Sequence, residues 1–549
     1  MAKLNNKVNS NKTNRNGNNN KSGSNKAKSK NWNSKRRRSK NEANSDNADD
    51  YNDINNSNSA NTTNDPQWYM GNGLATPIGT INWTEPAGKV IKRLPGNKDF
   101  FGNAAKVDFV NPGIMVFELT PTFGLVDSVK HPINVAATSM YEFMRSCNAG
   151  TANGDANDIM LYMISVGNMI ALTNWVMRIY GTLNLFTTQN MYLPEKLLEA
   201  EGVDVKDWIV AKANIRAYIN QFINRISGLF CPSVLPYFDR CINLYRNIYC
   251  ESDSIRDQLY ITHPAGFYQY RETDGTHDEA GYCKFVPVPA ELTYANLRDY
   301  LDKFYETLAQ SEFICTLSGD LMKAFGDKRF SWMYMPDDYT VTPVSDTAGM
   351  LMQLKNATVW DDTLMNNDIF QSPDKRFLVS LPEIKVEDEA GVIGAEKIID
   401  SLVDNPSPEA IMEWTRLTTS GYAEDPTGGD VAHPICMTEL CTGVEIYSLD
   451  YPGPLHFHHV VNTSTYSLDT KVLSKLSKFQ YAPEFFIKAS ETGREGEILD
   501  CYRDVFSTTV PGKLSVDTLA DLHYYALVSL FQAPANNIIA KDHSKKFDR

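Results

Sequence analysis

Thirteen lysines and arginines, and no acidic residue, occupy the first 40 positions of a chain that is otherwise acidic. They are Lys3, Lys7, Lys12, Arg15, Lys21, Lys26, Lys28, Lys30, Lys35, Arg36, Arg37, Arg38 and Lys40, set almost wholly among Asn, Ser and Gly. From 41 to 65 the sign reverses, with Glu42, Asp46, Asp49, Asp50, Asp53 and Asp65 and no basic residue. Residues 66 to 549 then hold 40 basic and 61 acidic side chains, a formal −21. Leu4, Val8 and Trp32 are too sparse to offset the ordering of about 60 residues at ~1–2 kcal/mol each. Residues 1–65 are therefore expected to be a disordered, Asn-rich arm. A cationic arm on an acidic body calls for a polyanionic partner.

The texture changes near Trp68, and the remaining length favours two or three packed units. No apolar run follows the early lysines, so no secretory leader is expected. Ile159 to Tyr180 is apolar enough to suggest a membrane span, but Ser165, Gly167, Asn168, Thr173 and Asn174 interrupt it. It reads as a buried helix, without stable membrane insertion. Its end, Arg178-Ile179-Tyr180-Gly181, places a glycine where a helix stops and an arginine at the negative end of the dipole. Nine cysteines without Cys-x-x-Cys pairing read as reduced thiols of an intracellular protein.

The clearest helix carries Trp208, Ala211, Ile215, Tyr218, Phe222 and Ile226 at steps of three and four, with Arg216, Asn220 and Asn224 off the stripe. Another is expected after Pro232, through Leu235, Phe238, Ile242 and Tyr245. Thr293 to Phe325 reads as two helices, and Ser407-Pro408-Glu409 starts a further one. Lys106–Val110, Ile114–Phe117, Leu259–Thr262 and Gly266–Tyr268 read as extended. Turns and short β-branched runs dominate from Phe330 to Pro406, and 428–454 reads as irregular. Ser515 caps a last helix in which Leu519, Leu522, Tyr525 and Phe531 are expected to face a core. The fold class is thus mainly α (α+β), with a β- and loop-rich insertion in the third quarter.

No phosphate-binding loop, dinucleotide glycine pattern, His-Glu-x-x-His helix or Gly-x-Ser-x-Gly elbow occurs. His456, His458 and His459 invite a metal reading, but one strand face presents only two imidazoles where zinc needs three or four ligands. Packing or surface histidines is the simpler reading. Cys436 and Cys441 lack a second pair, and Asp337-Asp338 and Asp361-Asp362 read as solvated turns. No catalytic residue, metal or cofactor is assigned. The arm remains the strong signal: it contacts phosphates without reading bases. With all 13 charges on duplex phosphates the salt slope would approach about −12. Nuclear import through Lys35 to Lys40, a merely solvated tail or another anionic partner are the alternatives.

The stretch from Arg178 to Tyr270 resembles a picobirnavirus capsid protein. It does so through Met177-Arg178-Ile179-Tyr180-Gly181, Asn214-Ile215-Arg216 with Asn220, Pro232, Leu235-Pro236-Tyr237, Asn247-Ile248-Tyr249 and Leu259-Tyr260-Ile261-Thr262-His263-Pro264-Ala265-Gly266-Phe267-Tyr268. The resemblance implies a shell protein of a virus with segmented double-stranded RNA. Its intertwined homodimers would close into an icosahedral T=2-type lattice, assembled in the host cytoplasm and residing in the virion. It implies a shell domain and an outward-projecting domain, and the residue pattern divides the chain into a helical shell domain (66–329), a β/loop-rich projecting insertion (330–460) and a C-terminal part returning to the shell (461–549). The thirteen cationic residues would face viral RNA. Asn64-Asp65-Pro66, a chemically weak Asp-Pro junction at the end of the arm, is a candidate processing site. Two other classes compete: an RNA-binding scaffold that forms no closed shell, and an enzyme with a nucleic-acid tether and its site within 230–460. Particle formation separates the first from the second, and turnover or bound metal would mark the third.

Overall fold

In the computed structural model the chain divides after Thr84. The structure describes residues 113–148, 154–185, 193–252, 258–272, 281–346, 349–360, 364–374, 376–385, 396–423, 431–447, 479–483 and 509–532, with the backbone of five short strand segments elsewhere. All of these belong to the second unit, Glu85–Arg549.

In chain order the main elements are β1 (Ile114–Pro121), α1 (Pro132–Cys147), α2 (Ala156–Leu183), α3 (Leu193–Ala200), α4 (Val205–Ile226) and α5 (Pro236–Asn243). Then come β2 (Tyr249–Cys250), β3 (Leu259–Pro264), β4 (Gly266–Arg271), β5 (Tyr282–Pro287), α6 (Tyr294–Ala309), α7 (Glu312–Phe325) and α8 (Met350–Lys355). The last are β6 (Lys397–Ser401), α9 (Pro408–Trp414), β7 (Ser420–Ala423), β8 (Val431–Ile435), β9 (Glu439–Tyr447), β10 (Leu455–Phe457), β11 (Val510–Leu514) and α10 (Val516–Leu530). The result is a mixed α+β fold in which helices dominate.

A five-stranded sheet, ordered β10-β9-β1-β3-β2, runs through the middle. β1 pairs parallel with β3 and antiparallel with β9, with a register shift between Cys441 and Gly443. The continuous apolar run Ile114-Met115-Val116-Phe117 suits a strand covered on both faces. Met115, Phe117, Leu119 and Tyr260 join the main helical core. Ile114, Val116, Leu259 and Ile261 pack on the other side, with Leu197 and Ala200 of α3. Residues 428–454 were expected to be irregular, yet they supply β8 and β9. In β9 the alternation that marks a strand is confined to its second half, where Val444 and Ile446 are buried and Glu445 and Tyr447 half-buried. The expected extended runs at Leu259–Thr262 and Gly266–Tyr268 are β3 and β4.

α2 is the centre of the core, and its apolar stretch is almost wholly covered by protein. Its interrupting polar residues bond the helix's own carbonyls: Ser165 donates to Leu161, Asn168 to Ile164, Thr173 to Met169 and Asn174 to Ile170. A polar group buried without a partner would cost about 1–3 kcal/mol, so these bonds make the burial tolerable. Gly181 does not end this helix but lies within it. A Cβ there would come 2.5 Å from Cγ2 of Val341, so the residue is small because another segment crosses against it.

In α4 the whole expected stripe, from Trp208 to Ile226, is buried. Asp204 caps it by accepting from the N–H groups of Lys206 and Asp207. Its polar face also has work: Asn220 exchanges two hydrogen bonds with the Met335 backbone, and Arg216 meets Asp337 at 2.5 Å. The helix expected after Pro232 is α5, which stops two residues short of the buried Tyr245. Thr293, Ser311, Ser407 and Ser515 cap α6, α7, α9 and α10. In α10, Leu519 is buried and Phe531 just beyond it also, but Tyr525 is 67% exposed, and His523 takes the inward position instead.

Candidate functional site

The thirteen cationic residues from Lys3 to Lys40 and the junction Asn64-Asp65-Pro66 lie outside the described residues, as do Asp361-Asp362 and the side chains of His456, His458 and His459. Among the described residues no group of three or more His, Cys, Asp or Glu is placed to hold a metal. Cys436 and Cys441 are buried separately. Their Sγ atoms lie 3.5 Å from the Thr122 carbonyl and 3.6 Å from that of Gly443, and burial pushes both thiols up, away from the reactive thiolate. Asp337 is the exposed partner of Arg216.

What the fold does assemble is a set of buried charges that pin distant segments together. The first is centred on Glu201, just after α3. One carboxylate oxygen is 2.5 Å from Arg178 of α2, and the other accepts from Trp175 Nε1 at 2.8 Å and faces His263 Nδ1 of β3 at 3.1 Å. Burial alone would raise the Glu201 carboxyl. Arg178, His263 and Trp175 together hold it below the ordinary value. Arg178 is fully buried, and it also donates to the carbonyls of Thr262 (2.8 Å) and Asn247 (3.3 Å). Sequence reading gave this arginine to the helix dipole. The structure gives it a carboxylate, because a guanidinium with no water around it needs a counter-charge.

The second pin is Arg240 of α5, which donates through Nη2 to Glu439 of β9 at 3.0 Å and through Nη1 to Gln353 of α8 at 2.7 Å. The third is Lys355 of α8, whose ammonium donates to the Gln480 carbonyl at 2.9 Å and lies 3.9 Å from Asp400 of β6. Nothing in the sequence around Glu201, Arg240 or Glu439 singles them out, since each stands in an ordinary mixed context, and His263 appears only within the run that carries the family resemblance. Near Glu439 lies a cavity of about 20 Å³, bordered by Asn168, Tyr237, Tyr245 and Tyr268. It has room for one water and none for a substrate. Each of these charges is spent on a structural partner rather than on activating a nucleophile. The arrangement ties distant segments of the chain into one core.

A family model described as "Picobirnavirus, Capsid protein" matches residues 98–454, about two thirds of the chain. The chain belongs to the picobirnavirus capsid protein family. This capsid protein is similar to the capsid protein precursor of Human picobirnavirus (strain Human/Thailand/Hy005102/-), with 24% identity over 464 residues, 77% of this chain and 82% of the relative. Its fold matches an X-ray structure of the picobirnavirus capsid with a TM-score of 0.72 and 21% identity, covering 85% of this chain and 98% of the other. As a capsid protein it is structural rather than catalytic, associates with its own kind, and belongs to the virion.

Proposed function

We propose that this protein closes, as dimers, into an icosahedral shell of T=2 type around a double-stranded RNA genome, with its N-terminal arm turned to the RNA. The observation that carries the reading is charge segregation in a capsid protein: thirteen cations without one anion in the first 40 residues, and a formal −21 over 66–549. A wall of one sign with tails of the other draws RNA inward while keeping it off the wall itself. Contacts by such an arm are phosphate contacts, non-specific and salt-sensitive. Assembly is placed in the host cytoplasm.

On this reading 66–329 and 461–549 build the shell, and the projection comes from those parts of 330–460 that the core does not use. α8 and β9 already lie inside. The arm is removed by self-processing near Asn64-Asp65-Pro66, a reading supported by the name "precursor" given to the human virus relative. Intact-mass analysis of purified particles tests this, and full-length chain alone would end it.

The deciding experiment is electron microscopy of nuclease-treated protein with its 260/280 nm absorbance ratio, for the full chain and for a chain lacking 1–40. Uniform shells with protected RNA are expected from the first, and empty shells from the second. Soluble RNA-bound oligomers without shells would favour the scaffold reading. Equal RNA in both preparations would remove the arm from packaging.

A further inference from the structure

Two histidines, His131 half-buried and His523 fully buried, make contacts that favour the neutral imidazole. His131 caps α1: its Nδ1 accepts the Ile133 N–H at 3.3 Å, which requires a free lone pair on that nitrogen. His523 lies on the buried face of α10, 3% exposed, with Nε2 3.1 Å from the Thr415 carbonyl. A carbonyl only accepts, so Nε2 carries the hydrogen and Nδ1 is the bare nitrogen. That Nδ1 is buried and has no hydrogen-bond partner. A proton on it would be a charged donor facing no acceptor.

These two helices pack against each other, and α10 also leans on α5 and α9. Through Leu527, Leu530 and Phe531 the C-terminal helix covers part of the main core, with the Phe531 ring 4.5 Å from Tyr237 and 6.5 Å from Phe123.

We propose that α10 forms an acid-sensitive clasp against α1 on the shell subunit, shut while His523 is neutral and opened when it takes up a proton, and that the His131 cap of α1 loosens over the same range. Such a clasp belongs to the single subunit and involves neither RNA nor the arm.

The surroundings agree. Burial lowers His523 to about 4, with the bond to Thr415 opposing weakly, and burial lowers His131 to about 4, with Asp127 opposing. The charged groups on the elements around His523 are Glu142 and Arg145 of α1, Asp239 and Arg240 of α5, and Glu409 and Glu413 of α9 with Arg416 after it. On its own helix they are Asp517 and Asp521. None of these enters the balance that sets His523. A histidine whose folded value lies below its unfolded 6.5 supports the fold fully above about pH 6.5. That support declines as pH falls toward 4.

The test is hydrogen–deuterium exchange by mass spectrometry on the full-length protein at several pH values from 7.5 to 4.5, corrected for intrinsic rates. Protection of peptides in 516–530 should fall at least tenfold across that range while peptides from α2 hold theirs. In His523→Gln, whose amide can still donate to Thr415 without titrating, the loss of protection should move down by one pH unit or more. His131→Asn should do the same for 132–147. Wild-type protection of 516–530 that persists to pH 4.5, or a Gln variant that opens at the wild-type pH, overturns the proposal. Should the Gln variant fail to dock at pH 7.5, His523→Met supplies the same non-titrating comparison.

Discussion

α2 and α4 are the two longest helices described, and they are held in opposite ways. α4 is amphipathic: one stripe is buried, and the exposed side keeps Ile209 and Val210, 60% and 88% exposed, beside Lys206. α2 is buried on every side, so its polar side chains must look for partners inside the protein rather than in water. The contrast shows that polarity is cheap on one helix and consequential on the other, although both contain asparagine, threonine or arginine. Arg216 on α4 and Arg178 on α2 are each paired with a carboxylate, but Asp337 is 82% exposed and Glu201 only 3%. Water can replace the first partner and cannot replace the second.

That difference can be broken open by substitution. The largest effect should come from Glu201→Ala, which leaves Arg178 charged in a dry site at a cost of about 3–5 kcal/mol. Soluble, folded yield and the chemical unfolding midpoint would both drop. The double variant Arg178→Met with Glu201→Leu should lose much less than Glu201→Ala alone, because no charge is stranded. Gly181→Val should cost about 1–3 kcal/mol by forcing Val341 away, whereas Ala213→Val on the exposed side of α4 should shift the midpoint by well under 1 kcal/mol. Asn220→Ala removes both bonds to Met335 and should cost roughly 1–2 kcal/mol, with faster hydrogen exchange confined to 330–340. Asp337→Asn is the smallest, under about 1 kcal/mol and abolished by salt.

Acid sharpens the same comparison by its order of events. Glu201 is held below its ordinary 4.5, so its contribution is whole above that pH and is lost only on going lower. The clasp histidines begin to lose theirs below about 6.5. A slow titration from pH 7 should therefore release 516–530 well before α2 loses protection. Simultaneous loss would mean that the pins and the clasp are one cooperative unit.

Local sequence signals found α4, the helix starts near Thr293 and Ser407 and the cap at Ser515 because those are local devices, decided within one or two turns. Gly181 was misread as a terminator because the reason for it, Val341, lies elsewhere in the chain. Tyr525 was placed inward by spacing alone, and the smaller, more polar His523 occupies the core side because Thr415 offers it a carbonyl. β9 was missed because its first half is buried on both faces and shows no alternation. The pins were illegible for a related reason: Glu201, Arg240 and Glu439 acquire meaning only from partners that the fold brings to them. The cationic arm, in contrast, needs no fold to be read.

The pairing of β1 with β9 sets a clock on synthesis. Thr120 and Thr442 hydrogen-bond across that pair at 3.0 Å, though 322 residues separate them. At ~5–20 residues per second a ribosome takes roughly 15–65 s to travel that distance. Until β9 is made, β1 has an empty edge on that side, and β3 can join the other side only once residue 264 has been added, the slow, non-local closure that topology penalises. A growing polysome would thus carry many half-finished sheets whose edges could pair with one another. Only chains translated past residue 457 can complete the sheet, so subunits with a finished sheet come only from chains synthesised at least that far.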